Sequence, residues 1–230
     1  IEPFEIHIND GILDGVLTFG SYSEGRLKMS NFDANVITQF IDNKYLELSG
    51  IIFGEFGFIS SNKNHTYDID IALKKGYYLG EPYDQINLAI LLQSGVMHID
   101  DISMTRDTSM GFQLSGTLPL KNSNKRKSMV SLVTTYKDLS MPMIHELIPN
   151  FYKIEGRATG NLKLFGSLDE TKFEFNTIVN DAVFDRIFLG DVSSKGTYND
   201  NYLNIDYANS KNSEEIITSH GTVPFDLNLS

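Results

Sequence analysis

The stretch YDIDIALK, Tyr67–Lys74, decides the fold class of this chain. Its apolar and acidic residues alternate with a period of two, which is typical of a β-strand with one buried face. A second alternating stretch, FEFNTIV, begins at Phe173, at an offset of 106 residues (173 − 67). Because side-chain facing also has a period of two, an even offset keeps the same face inward in both stretches. The chain is therefore predicted to be mainly β, with antiparallel strands, and to contain a duplicated unit.

Further landmarks repeat at nearly the same distance. The matched glycines are Gly50 with Gly156 and Gly54 with Gly160, at an offset of 106 residues (156 − 50). The closing phrases are SGTLPL at 115–120 and HGTVPF at 220–225, at an offset of 105 residues (220 − 115). A short amphipathic helix with a capping residue is predicted ahead of each glycine pair, in DANVITQFIDN from Asp33 and in SMPMIHELIPN from Ser140.

These landmarks predict two tandem repeats of about 105 residues. Each repeat has a lead-in strand, one short helix and about five antiparallel strands. Residues 1–25 are predicted to be the tail of a preceding repeat, 26–121 the first repeat and 122–230 the second, on one continuous sheet. Because the chain opens on Ile1 without a signal-like segment, we interpret it as part of a longer array.

The bulk composition excludes several classes of function. The formal net charge is −11, which repels phosphate backbones and argues against nucleic-acid binding. The chain has no cysteine, so disulfides, iron–sulfur clusters and thiol catalysis are excluded. No apolar run reaches the length of about 18 residues that a membrane-spanning helix needs. Neither a cofactor nor a metal ion is expected.

The second repeat carries a resemblance to a known family. The phrases KIEGRATGNLKLFGSL from Lys153 and FEFNTIVNDAVFDRIFLGDVSSKGTYNDNYLNIDY from Phe173 resemble the AsmA-like proteins of the TamB type, named for a translocation and assembly module. Members typically show a Gly-x-x-x-Gly-x-Leu strand, a Gly-x-Tyr strand and a Gly-x-x-Pro closing strand. The triplet 196–198 and the closing strand 221–224 fit the last two motifs, whereas the first repeat has Leu-Ala-Ile at 88–90 in place of Gly-x-Tyr.

The resemblance implies that the two repeats are groove repeats that form one open, elongated β-taco, an incompletely closed β-structure with an apolar concave face and a polar convex face. It implies a protein in the periplasm of a diderm bacterium, anchored in the inner membrane by a part absent from this chain. Such proteins bridge the inner and outer membranes and carry phospholipids, or assist an outer-membrane barrel partner in protein assembly. The implied ligands are phospholipid acyl chains, and no enzymatic activity is expected.

We predict that alternate strand residues line this lipid groove. An apolar trough is stable when acyl chains occupy it, because each buried methylene contributes about 0.8 kcal/mol. The predicted lining residues are Leu48, Ile52, Phe56, Phe58, Tyr67, Ile69, Ile71, Leu73, Ile86, Leu88, Ile90, Leu92, Leu162, Leu164, Phe173, Phe175 and Val179.

Alternative functions stay open at this stage. A structural or adhesive β-solenoid or β-sandwich without lipid cargo fits a repetitive acidic β-protein. A carbohydrate-active enzyme is a further alternative, and it would need carboxylates such as Asp100. A metal site is a separate question, and the single His98–Asp100 pair supplies too few ligands for one. His145, in the second predicted helix, is interpreted as a surface residue. The basic phrase KNSNKRKS from Lys121 is interpreted as a connection between repeats, with contact to anionic head groups as the alternative.

Overall fold

A computed structural model describes residues 2–38, 48–61, 64–120, 129–143, 154–212 and 216–224. Fourteen antiparallel strands form one open sheet, and their order in the sheet is their order in the chain. The prediction of a mainly β, antiparallel fold is confirmed. The chain divides into two compact units, each described by itself below. The first unit is Ile1–Asp107 with Ser115–Arg126, and the second unit is Thr108–Leu114 with Lys127–Ser230.

The first unit begins with three strands that precede its helix. Its elements are β1 (Glu2–Ile8), β2 (Gly11–Thr18), β3 (Tyr22–Asp33), α1 (Ala34–Thr38), β4 (Ile51–Ser61), β5 (His65–Tyr78), β6 (Glu81–Gln93) and β7 (Val96–Arg106). The next strand, β8 (Met110–Pro119), contributes residues to both units. Asp33 caps α1 as predicted, because its Oδ1 accepts a hydrogen bond from the Asn35 backbone N–H at 2.9 Å. The rest of the predicted helix, residues 39–43, lies outside the described residues.

The second unit has the same order of elements after its lead-in strand. Its strands are β9 (Val130–Ser140), β10 (Ile154–Gly166), β11 (Thr171–Phe184), β12 (Ile187–Asn199), β13 (Tyr202–Lys211) and β14 (Ile216–Pro224). Residues 141–143 are helical, which places a helical turn where the second short helix is predicted. The remainder of that helix, with His145, and the basic phrase at 121–128 lie outside the described residues.

Tight two-residue turns join the strands within the long hairpins of both units. Each turn has two consecutive residues with positive φ, the geometry that matches the twist of the flanking strands. The turns are Leu79–Gly80 (φ 50° and 79°), Ser94–Gly95 (53° and 76°), Asp185–Arg186 (44° and 71°) and Asp200–Asn201 (52° and 63°). The last two turns follow the first two at the same offset of 106 residues (185 − 79 and 200 − 94). The two units therefore place their hairpins at equivalent positions.

β-Bulges reset the alternation of side chains within the strands. In β3 the pairing with β4 shifts between Met29 and Phe32, and Asn31 has a φ of 54°. In β7 the pairing with β6 shifts so that Asp100 is the extra residue. Each bulge lets two residues that are three positions apart point to the same face. In β13 the shift leaves Asp206 as the extra residue, at the offset of 106 from Asp100 (206 − 100).

The start of β4 separates Leu48 from the other predicted lining residues. The strand begins at Ile51, because Gly50 has a φ of 127° and interrupts the regular ladder. Leu48 lies before this break and forms an isolated antiparallel bridge with Tyr78.

The glycines of β4 provide a test of this backbone geometry. Gly54 has a φ of 137°, and a Cβ added there would clash with the Asp70 carbonyl oxygen. At Gly57, on the same strand, the nearest heavy atom to an added Cβ is 3.7 Å away. We expect Gly54→Ala to lower the free energy of unfolding by about 2 kcal/mol or more. Gly57→Ala should change it by less than about 0.5 kcal/mol, as measured by urea denaturation. Equal effects of the two substitutions would contradict the described conformation of Gly54.

Candidate functional site

Four rows of side chains cross one face of the first unit from β3 to β7. In an antiparallel pair, residues directly opposite each other place their side chains on the same face, so the registers define each row. Row 1 is Gly25, Phe58, Tyr67, Leu92 and Met97, and row 2 is Leu27, Phe56, Ile69, Ile90 and Ile99. Row 3 is Met29, Gly54, Ile71, Leu88 and Ile102, and row 4 is Phe32, Ile52, Leu73, Ile86 and Met104. We call this the inner face.

The inner face of the first unit holds every lining residue predicted there except Leu48. Sequence reasoning missed the members of the rows that lie in β3 and β7, including Phe32, Ile102 and Met104. The bulges in these strands break strict alternation, so Phe32 and Ile102 fall out of phase in the sequence. The alternation of Leu27 and Met29 in RLKMSNF is the signal that extends the rows into β3. The lipid role of these residues stays a prediction.

Burial of the inner face is concentrated at one end. In row 4, Phe32, Ile52, Leu73 and Met104 are 2–5% exposed, and Ala34 at the start of α1 is 1% exposed. Rows 1 to 3 are half-buried throughout, apart from the buried Ile99. The side chains of rows 1 to 3 therefore keep part of their surface accessible to solvent.

The opposite face of the first unit is charged. Asp68 and Asp70 point there from β5, and Arg26 Nε on β3 lies 2.9 Å from Glu55 Oε2 on β4. Both side chains of this ion pair are exposed, so the pair adds little stability. A cavity of about 490 Å³ on this face includes Gly57, which has no side chain to fill it. Arg26, Glu55, Asp68 and Asp70 line the cavity, which also reaches Gly25 and Phe58 of row 1.

The second unit has four equivalent rows across β9 to β13. Row 1 is Leu132, Leu164, Phe173, Tyr198 and Leu203, and row 2 is Thr134, Leu162, Phe175, Gly196 and Ile205. Row 3 is Tyr136, Gly160, Thr177, Ser194 and Ala208, and row 4 is Leu139, Ala158, Val179, Val192 and Ser210. All five lining residues predicted in this unit lie in these rows. None of the residues in the rows of either unit carries a charge.

The two ends of the second unit's inner face are tightly packed. Ala158, Val179 and Ala182 form a buried cluster with Met141, the first residue of the helical turn. In row 1, the rings of Phe173 and Tyr198 stack with centroids 5.0 Å apart. Phe175 and Leu162, in row 2 between these ends, are half-buried.

Row 3 of the second unit is the polar part of this face. The Tyr136 and Thr177 hydroxyl oxygens are 2.5 Å apart and share a hydrogen bond. Burial raises the pKa of Tyr136, and the hydrogen bond to Thr177 partly offsets that rise. The Tyr136 phenol is therefore neutral and able to donate at physiological pH.

Tyr83 anchors the end of the first unit beyond row 4. It is 3% exposed, and its hydroxyl donates a hydrogen bond to the Ser49 carbonyl oxygen. Burial raises the pKa of Tyr83 above its ordinary value of 10.0. The folded chain thus holds the phenol protonated at a pH where the unfolded chain begins to ionise.

This pKa shift predicts a specific loss of stability at alkaline pH. The contribution of Tyr83 is fully present below pH 10 and is lost as the pH rises through the raised pKa of the folded state. We expect the free energy of unfolding of Tyr83→Phe to fall less steeply above pH 10 than that of the wild type. Tyr77→Phe is the control, because Tyr77 is 59% exposed. Parallel alkaline profiles for wild type and Tyr83→Phe would contradict the shift.

The histidine and carboxylate candidates form no larger site. His98 pairs with Leu91 on the charged face, and Asp100 is the extra residue of the β7 bulge. No group of three or more potential metal ligands occurs within the described ranges. Among the described helical residues, no helix has the length and apolarity needed to cross a membrane.

Comparisons with models of known protein families, with curated proteins and with solved structures find no match to this chain.

Proposed function

We propose that this chain is a groove module that binds phospholipid acyl chains on its inner face and conducts them between two membranes. The observation that carries the proposal is the set of half-buried apolar rows of the first unit, held in register across five strands. A sheet with one apolar face normally covers it with another layer. Rows 1 to 3 are only half-buried in the described structure, and acyl chains are a suitable cover for their exposed part.

The free energy of transfer from water favours recognition of the lipid's acyl chains over recognition of its head group. An acyl chain of about 14 methylenes gains on the order of 10 kcal/mol when it is transferred from water to an apolar groove. The rows offer no charged side chain to a phosphate or ammonium group. An uncharged apolar face of this kind binds the acyl chains of many lipids and lets them move along the rows.

The finer architecture that we propose is a pair of tandem repeats forming an open β-taco. The repeated order of elements supports it, as do the turns and the bulge residues Asp100 and Asp206 at one fixed offset. The four rows in the first unit also have four counterparts in the second.

We propose the periplasm of a diderm bacterium as the location, on the basis of the resemblance to AsmA-like proteins of the TamB type. Phospholipid transfer toward the outer membrane, or assistance to an outer-membrane barrel partner, is the role that this resemblance supports. The net charge of −11 is compatible with that location and argues against nucleic acid as a partner.

A structural or adhesive interaction module is the second candidate function. The close stacking of Phe173 on Tyr198 and the polar row 3 favour it for the second unit, because both reduce the apolar surface open to a chain. In this case the rows of the second unit would be a packed core without lipid cargo.

Aspartate substitutions on the two faces distinguish these functions. Ile71→Asp and Phe175→Asp place a carboxylate on the inner face, where an unpaired charge costs several kcal/mol in an apolar environment. We expect each to reduce the phospholipid retained after mild purification by about tenfold or more, as quantified by mass spectrometry of lipid extracts. Ile59→Asp and Ile178→Asp are the matched controls, because these residues point to the opposite face and are 45% and 46% exposed.

Wild-type lipid content in the Ile71→Asp and Phe175→Asp proteins would contradict a lipid groove. Loss of lipid from Ile71→Asp alone would restrict lipid binding to the first unit and support the second candidate function for the second unit. Thermal unfolding of all four variants serves as the check that each protein is folded.

A further inference from the structure

Row 3 differs in chemistry between the two units. In the first unit the row is apolar throughout, with Ile71 and Leu88 at its centre. In the second unit the equivalent positions are Thr177 and Ser194, which are paired in register on β11 and β12. Tyr136 adds a third hydroxyl from β9, across Gly160 of β10. Three hydroxyl groups thus lie in one line across a face whose other rows are largely apolar.

The hydrogen bonds within this line leave donors available. Tyr136 and Thr177 share one hydrogen bond, which uses one of their two O–H groups as donor. Within the described ranges, the Ser194 hydroxyl has no hydrogen-bond partner. The side chains of all three residues are half-buried. Two O–H donors therefore face the groove without an acceptor from the described part of the chain.

These donors select the chemistry of a ligand. The interior of an acyl chain offers no acceptor, and a hydroxyl that loses water without gaining a partner is destabilising. A phosphate oxygen is an acceptor, but no charged side chain lies in the rows to stabilise it. An ester carbonyl is a neutral acceptor attached directly to an acyl chain. It is therefore the lipid group that matches an uncharged donor line within an apolar face.

The space beside the hydroxyls fits this assignment. Ala208 occupies the row 3 position that Ile102 holds in the first unit. Its smaller side chain leaves room beside Ser194 for a group wider than a methylene chain, whereas the Phe175 ring lies against Gly196. An ester linkage is such a group.

We propose that the hydroxyls of Tyr136, Thr177 and Ser194 bind the ester carbonyls of a diacyl lipid whose chains lie along the neighbouring rows. This inference rests on the proposed lipid groove, and it assigns to the second unit a preference for ester-linked over ether-linked lipids. The first unit has no such line of hydroxyls, since Tyr67 in row 1 is the one hydroxyl-bearing residue of its rows, and it is expected to bind both kinds alike.

A competition between two synthetic lipids tests the inference. The 230-residue chain is incubated with an equimolar mixture of diester and diether phosphatidylcholine of equal chain length in mild detergent and then repurified. We expect the bound fraction to be enriched in the diester lipid by about two- to tenfold, the range for one or two neutral hydrogen bonds. The triple variant Tyr136→Phe, Thr177→Val, Ser194→Ala should lose the enrichment and still bind lipid.

Two further variants keep the test decisive. Ser194→Ala alone removes a hydroxyl that has no partner in the described part of the chain, so it should fold normally and lower the enrichment. The double variant Thr135→Val, Ser193→Ala is the control. These two residues are adjacent in sequence to Tyr136 and Ser194 but point to the opposite face, so the variant should leave the enrichment unchanged. Equal binding of the two lipids by the wild type would overturn the inference and leave the groove proposal intact. Failure of the wild type to bind either lipid would overturn both.

Discussion

The inner face depends on strand register more than on any single contact. Antiparallel pairing aligns Leu27, Phe56, Ile69 and Ile90 in one row, and the neighbouring rows follow from the same pairing. A slip of one residue in β5 would turn Ile69 and Ile71 to the charged face and bring Asp68 and Asp70 into the rows. Because the apolar residues of β5 alternate with Asp68, Asp70 and Lys74, such a slip is strongly unfavourable. The alternation in the sequence thus selects the register, and the register creates the apolar surface.

Much of this arrangement could be predicted from the sequence. The period-two pattern places the residues of β5, β6 and β11 on their correct faces, and the Asp33 cap marks the start of α1. The bulges could not be predicted, because an extra residue such as Asp100 looks like any other residue in an alternating strand. The start of β4 directly after Gly50 depends on the positive φ of that glycine, and this backbone torsion has no reliable sequence signature. The polar row was visible in part, since Ser194 and Gly196 weaken the alternation of β12. Its contact between Tyr136 and Thr177 joins residues on strands that are not neighbours and required the structure.

The two units use the same backbone plan for different surfaces. The rows of the first unit are filled mainly by Ile, Leu, Met and Phe, and apart from Ile99 their buried residues lie in row 4. In the second unit, aromatic stacking in row 1 and the methionine-capped cluster in row 4 enclose a polar line. A hydroxyl on such a face costs little while water reaches it, but it requires an acceptor when apolar chains displace that water. The same fold can therefore provide a general apolar floor in one unit and a chemically selective position in the next.

Site-specific photocrosslinking along β5 can show whether lipid lies on the inner face. A photoreactive amino acid is placed in turn at each position from Tyr67 to Ala72 of β5, and crosslinked phospholipid is detected by mass spectrometry. A lipid-binding inner face predicts crosslinks with a period of two, at Tyr67, Ile69 and Ile71, and none at the intervening positions. Crosslinks at Asp68 and Asp70, equal yields at all six positions, or no crosslinked lipid at the inner positions would contradict it.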